Sequence, residues 1–505
     1  MMIDIEQLLT WNRSIRDPVM LSVLGGAFVL MVVAFMVRPL TYFPTLIATM
    51  PLPKLFTIGY RNDVVLSGDY SDSSDPGFSV SDLVLAAGIV VMIFQRRSAP
   101  TALTQRVSRA LYWWMMSIAL SVWIAVIFFS ESYKPANLLY MVRYFMTLVS
   151  YITAAHYARY FIHQYQVAKL LRYTVITGVV VLALGVAYYF TVGSVRGGAD
   201  EMRMGVNAMD ANQSLVFRSY LWFFDYGNDM GFYAVFIGTL ALVIQTRPCG
   251  RVLQAICRAV MLIAIVSIIL LNQRANLLVM ALAIAYLGWH FLSREAQDFG
   301  VILKWIGLVV IGGVVTAGIL YVVQPQIITK VLASSGTELS FDAADYLQER
   351  GVPAVISRTV SSLPIGDNVM RFSFSVASLW AFLQFPIGVG FWGELQVLGL
   401  FAHHEVVKVL VEQSLPGIIA YFALLLAVKR VLWNGPQING VAADLNLVLR
   451  ANSFALAGAL IMANTVLLDF KFAVLYWSML GLFTTIQATF EMRHTPMPIR
   501  RGLES

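Results

Sequence analysis

The sequence predicts an all-α fold, a polytopic helical membrane protein with about 12–13 transmembrane helices and a long periplasmic loop. Three observations carry that expectation. The 505 residues are 59% hydrophobic and only 12% charged, against roughly a quarter charged in soluble domains, so the chain has too little polar surface to face water. Apolar runs of about 17 residues or more, enough to cross the hydrocarbon core as a helix, recur from Val19 to Ala488. Lysine and arginine cluster in alternate short loops between those runs, as the positive-inside rule requires. Residues 1–505 therefore read as a single integral membrane domain.

Taken in order, the candidate spans are 19–37, 40–58, 80–95, 109–129, 138–155, 173–193, 228–245, 252–271, 275–292, 303–323, 413–429, 452–468 and 472–488. Pro44, Pro51 and Pro53 interrupt the second, because proline lacks the N–H that a helix needs. The cytoplasmic loops are marked by Arg96, Arg97, Arg106 and Arg109, by Arg159, Lys169 and Arg172, by Arg247, Arg251 and Arg258, by Arg294 and Lys304, and by Lys429, Arg430 and Arg450. The tail with Arg493, Arg500 and Arg501 joins them. Thirteen spans put the N-terminus outside and twelve put it inside, and both counts fit. Met1 to Asp17 carries Asp4 and Glu6 rather than a basic region and a small-residue cleavage site, so no cleaved signal peptide is expected. Cys249 and Cys257, among the cytoplasmic arginines, are expected to be reduced thiols.

Three polar segments fall on the outer side: 59–79, 194–227 and 324–378. The last is long for a structureless connection, and its pattern from Phe341 to Gln348 predicts a helix. The formal charge of +7 is spread in short clusters beside the apolar runs, which excludes a nucleic-acid interface.

Charges close to outer span ends are the informative polar residues. Arg274 sits in the tight turn from Asn272 to Asn276 between two apolar helices and reads either as an interfacial anchor or as an anion ligand. Arg203, Arg218, Arg350, Arg358 and Arg371 form an outer-side surplus of arginine that an anionic partner explains, since guanidinium grips phosphate through paired hydrogen bonds. Ion pairing with Glu201, Asp210, Asp225, Glu349 or Asp367 is the simpler reading for any one arginine of the long loops. His403 and His404 precede the eleventh span. Histidine suits a base that must deprotonate a hydroxyl near neutral pH, but a helix starting there turns His403 toward Val407 and Leu410, as a packed side chain. The same helix aligns Glu405, Lys408 and Glu412 in one stripe. The glycine-rich turn from Phe385 to Gly393 serves either a ligand or helix packing. Asp69, Asp72 and Asp75 read as a solvated loop rather than a metal site, and Tyr220, Trp222, Phe223, Phe224 and Tyr226 as an interfacial aromatic belt.

Together these stretches resemble the O-antigen ligase and O-antigen polymerase superfamily of bacterial integral-membrane glycosyltransferases. Arg218 followed by Tyr226-Gly227-Asn228-Asp229-Met230-Gly231-Phe232-Tyr233 is similar to the family's arginine and span-opening motif. Asn272-Gln273-Arg274-Ala275 resembles its Ser-Arg-Gly motif, and Ser81-Asp82 opens the third span in keeping with it. Arg371, Pro386-x-Gly388-x-Gly390, Ala402-His403-His404-Glu405 and Glu412-x-x-Leu415-Pro416-Gly417 follow the family's C-terminal block. The departures are Gln273 and Ala275 for Ser and Gly, His404 where Asn is usual, and Ser414 for a frequent Gly.

The resemblance implies a metal-independent, cofactor-free transferase of the inner membrane with its active site facing the periplasm. The donor would be a glycan on undecaprenyl pyrophosphate and the acceptor a sugar hydroxyl, with other polysaccharide assembly proteins as compatible partners. On this likeness Arg274 and Arg218 neutralise the leaving pyrophosphate, Arg371 assists them or orients the long loop, and His403, or its neighbour His404, is the general base. The long outer segment favours O-antigen or exopolysaccharide polymerisation over ligation to lipid A core. From a different class, a flippase or transporter for a lipid-linked saccharide would place polar residues near the bilayer midplane in broken helices.

Overall fold

The computed structural model describes residues 18–52, 54–57, 77–95, 102–129, 136–161, 163–188, 227–247, 250–270, 274–292, 307, 343–363, 368–391, 393–394, 404–435, 440–461 and 471–494. These form fifteen α-helices and one two-stranded sheet. The first nine helices are α1 (Pro18–Val37), α2 (Tyr42–Thr49), α3 (Val80–Gln95), α4 (Ala102–Phe128), α5 (Ala136–Ala158), α6 (Gln164–Tyr188), α7 (Gly227–Gln245), α8 (Arg251–Leu270) and α9 (Arg274–Leu292). Then come α10 (Ala343–Glu349), α11 (Ala354–Ser361), α12 (Asn368–Gln384), α13 (Glu405–Asn434), α14 (Val441–Ile461) and α15 (Lys471–His494). Among the described residues, four helices are long and apolar enough to cross a membrane: Thr104–Phe128, Gln164–Ala187, Arg251–Ile269 and Glu405–Asn434.

Most predicted spans coincide with a helix, and the exceptions have local causes. The proline-interrupted second span is a 3-10 turn at Pro39–Thr41, the eight-residue α2, and strand β1 (Lys54–Thr57) paired antiparallel with β2 (Gly77–Ser79). The predicted span 452–468 starts earlier, at Val441, because Gly440, with φ +75°, turns the chain into a helix whose first turn carries Asp444. Span 303–323, apart from Gly307, lies outside the described residues, as do Cys249 and the polar segment 194–226. Within 324–378 the expected helix is present as α10, accompanied by α11 and the first part of α12 around a small core of Leu347, Val352, Val360 and Ala377.

Contacts fix which helix ends lie together. Arg247, just past α7, sets Nη2 2.8 Å from Oδ1 of Asp444. Arg450 of α14 donates to the Leu432 carbonyl near the end of α13 at 2.6 Å. Gly435 after α13 abuts Gln487 of α15, and Gly440 abuts Gln164 at the start of α6. His156 of α5 bonds Gln95 at the end of α3 at 2.9 Å. Tyr151 of α5 meets Thr484 of α15 at 3.0 Å, and Thr485 donates to the Ala155 carbonyl at 3.3 Å, so those two helices run parallel. One end of the bundle therefore collects Arg159, Arg172, Arg247, Arg430 and Arg450, all assigned to one side from the sequence.

Small residues let these helices approach closely, which drives association where hydrophobic burial does not. A Cβ on Gly481 of α15 would lie 2.3 Å from the Tyr151 carbonyl oxygen. Outward faces are apolar: Leu30 of α1, Trp123 of α4 and Ile419 of α13 are 71%, 66% and 68% exposed. Polar groups turn inward, as with Asn452 of α14, which donates to Thr239 of α7 at 2.9 Å.

The Gly481 contact is testable. Gly481→Leu should force α5 and α15 apart and lower stability by about 1–3 kcal/mol, read as a lower melting temperature in detergent. Gly25→Leu, at a glycine with nothing within 4 Å of its Cβ position, should leave the melting temperature unchanged.

Candidate functional site

The C-terminal block is organised by a break in α13. Pro416 has no N–H to give the Glu412 carbonyl, and Ser414 departs from helical geometry with φ 61° and ψ −164°. Carbonyls left unpaired in an apolar bundle are costly. The glycine-rich turn meets them: Val389 N–H donates to the Val411 carbonyl at 2.9 Å and Gly390 N–H to the Glu412 carbonyl at 3.0 Å. Gly388 and Gly390 have φ +87° and +90°. A Cβ on Gly390 would lie 2.1 Å from Ala125 Cβ of α4, so the turn is wedged between α13 and α4. The Ser414 hydroxyl donates to the Pro386 carbonyl, and Phe391 N–H donates to Ser121 Oγ of α4 at 3.2 Å. Of the two uses the sequence left open for these glycines, the structure displays helix packing.

Beside the break is a buried polar cluster. Glu405, Lys408 and Glu412 lie in one stripe, as the spacing predicts, and that stripe faces inward: Glu405 and Glu412 are each 1% exposed. Tyr421 donates to Glu405 Oε1 at 3.2 Å, and Ser117 of α4 donates to Gln413 Oε1 at 3.2 Å. Glu394, fully buried, accepts from Ser378 of α12. Sequence reading missed Glu394, whose signal was its isolation as the only Asp, Glu, Lys or Arg between Arg371 and Glu405.

His404 stands at the head of this stripe as the N-cap of α13. Its carbonyl accepts from Lys408 N–H at 2.9 Å, and its buried Nδ1 has no hydrogen-bond partner among the described residues. Burial holds its pKa below the ordinary histidine value of 6.5, so the ring is neutral near pH 7. His403 and Arg218 lie outside the described residues. Arg371 is in the first turn of α12. Arg274 is the first residue of α9.

The structure brings two of the singled-out motifs together. A Cβ on Gly231 of α7 would lie 1.8 Å from the amide of Asn276, and Gly238 faces Met280, so α7 and α9 run parallel with their N-termini side by side. The N-terminal ends of α7, α9 and α13 are thus all opposite the arginine-rich end, which puts Arg274 and His404 at the same end of the bundle. Two helix N-termini there add positive potential beside Arg274. Ser81-Asp82 has a local role: Asp82 accepts from Ser79 N–H at 2.7 Å and from the Ser79 hydroxyl at 2.9 Å, capping α3. Arg350 lies 3.7 Å from the centre of the Tyr346 ring and 3.8 Å from Glu349. Asp69, Asp72, Asp75 and the aromatic cluster from Tyr220 to Tyr226 lie outside the described residues.

Ser414 occupies backbone space that glycine adopts freely, at a cost of about 1–3 kcal/mol for another residue. Ser414→Gly should be near neutral in melting temperature, since relief of that cost offsets a lost hydrogen bond of about 0.5–1.5 kcal/mol. Ser414→Val should sharply reduce folded yield. His404 gives a pH test. Its folded pKa is lowered, so its contribution to stability is intact above 6.5 and is lost as pH falls through the folded pKa. The melting temperature should therefore fall less on acidification in His404→Asn than in the parent.

No family model matches the chain, and no curated protein matches it either.

Proposed function

We propose that the protein is a metal-independent membrane glycosyltransferase of the O-antigen polymerase and ligase type. It moves a glycan from undecaprenyl pyrophosphate to a sugar hydroxyl at the periplasmic face of the inner membrane, in O-antigen or exopolysaccharide polymerisation. The observation that carries this reading is the gathering of Arg274 and His404 at the bundle end opposite the basic loops. The positive-inside rule assigns those loops to the cytoplasm. On this reading the leaving pyrophosphate is held by Arg274 with Arg218, assisted by Arg371 and by the N-termini of α7 and α9. A histidine at the head of α13, His403 by its place in the motif, takes the acceptor proton, and the hydroxyl oxygen then attacks the anomeric carbon as the pyrophosphate departs.

One observation favours a second reading. α13 is a broken helix lined with buried charges, which is the construction of substrate sites in transporters. Its break at Ser414 falls in the outer half of α13 rather than at its middle, which favours the transferase.

Incubation of the purified protein with a lipid-linked oligosaccharide should release undecaprenyl pyrophosphate. Movement of intact donor between leaflets without release would identify a transporter, and neither activity would leave a scaffold. Arg274→Lys should impair transfer by losing the bidentate geometry, and Arg274→Ala should impair it more. His403→Ala should slow transfer by about 10²–10⁴ with donor affinity unchanged, and His404→Ala should do less, at equal protein abundance. Full activity in both histidine variants and in the double variant would reject histidine catalysis.

A further inference from the structure

The segment 324–378 is expected from the sequence to be an aqueous loop, yet its last helix is built the other way round from a water-facing one. α12 turns Ser373 and Ser378 fully inward and packs Ala377, Val376 and Trp380 against the α10 and α11 core. Its outward face carries Leu379 and Leu383, 40% and 69% exposed, and continues through Phe385 and Ile387, 38% and 44% exposed. No Asp, Glu, Lys or Arg occurs from Phe372 to Gly393. An apolar outside over a polar inside costs free energy in water, and contiguous patches of this kind mark an interaction surface.

The turn that ends α12 fixes its depth. Val389 and Gly390 bond the carbonyls of Val411 and Glu412, six and seven residues below the head of α13. At about 1.5 Å per residue, that is roughly 10 Å along the helix axis. Gly390 also meets Ala125, short of the end of α4 at Phe128. Irregular backbone at membrane depth is tolerated where protein buries it, and here Gly390 is wedged between α4 and α13. The exposed stripe is continuous with outward apolar faces on both sides: Phe385 contacts Phe129 next to α4, with ring centroids 5.5 Å apart. Leu415 and Ile419 continue the stripe on α13, 59% and 68% exposed.

We infer that α12 and the turn at 385–390 form a re-entrant element, and that the face of Leu379, Leu383 and Ile387 is covered by the acyl chains of bilayer lipid. The apolar helical stretch Phe372–Gln384, thirteen residues long, spans about 20 Å at 1.5 Å per residue, too short to cross the hydrocarbon core, so the element enters the outer leaflet and returns. This inference rests on the chain spanning a membrane but not on transfer chemistry.

The test uses the full-length protein in phosphatidylcholine and phosphatidylglycerol vesicles, with single nitroxide-labelled cysteines at Leu379→Cys and Leu383→Cys. Val33→Cys on α1 and Ile419→Cys on α13 are lipid-facing references, and Ser361→Cys on α11 is the aqueous reference. Both α12 labels should collide with oxygen more than with a water-soluble nickel chelate, as the lipid references do. A charged thiol reagent should modify them at least about tenfold more slowly than Ser361→Cys, because charge is excluded from hydrocarbon. Nickel accessibility equal to that of Ser361→Cys would overturn the inference in favour of an aqueous loop. Shielding from both relaxants would overturn it in favour of a covering protein surface. If Val33→Cys and Ile419→Cys were also nickel-accessible, the membrane reading itself would fail, a result distinct from failure at α12 alone.

Discussion

Backbone amides and carbonyls removed from water need partners, and the break in α13 is where this constraint acts most visibly. A proline and a positive-φ serine free the carbonyls of Val411 and Glu412, and the N–H groups of Val389 and Gly390 in the preceding glycine-rich turn capture them. Because the capturing turn also presses on Ala125 and Ser121 of α4, the break ties together α4, α12 and α13. The buried carboxylates and His404 are positioned by that tie.

The constraint recasts the motifs. Pro386-x-Gly388-x-Gly390 and Glu412-x-x-Leu415-Pro416-Gly417 are two halves of one backbone device, the first donating N–H groups and the second, with Val411 before it, accepting them. Ser414 falls at a position whose geometry suits glycine. The serine uses its hydroxyl on the Pro386 carbonyl. His404 adds a titratable ring to the head of the buried stripe.

Much of the helix layout was legible because apolar length and the spacing of arginines are local properties. Val80–Gln95 matches its predicted limits, and others differ by a few residues. α14 was misread because its N-terminal half carries Asp444, Asn446 and Arg450, polar residues whose partners, such as Arg247 and the Leu432 carbonyl, are distant in sequence. The inward direction of the Glu405, Lys408 and Glu412 stripe was equally hidden: periodicity reveals a polar face but not whether that face meets water or protein. Glu394 and its Ser378 partner escaped notice because their pairing exists only once α12 has folded back against the glycine turn.

The parallel pairing of α5 with α15 bears on how the molecule is made. Tyr151 and Thr484 are 333 residues apart, and helices enter the bilayer in the order of translation. At about 5–20 residues per second, α5 waits on the order of tens of seconds before the groove beside Tyr151 receives Gly481. During that interval the Tyr151 hydroxyl is without its Thr484 partner, so the pairing of the two helices is a late step set by the length of chain between them.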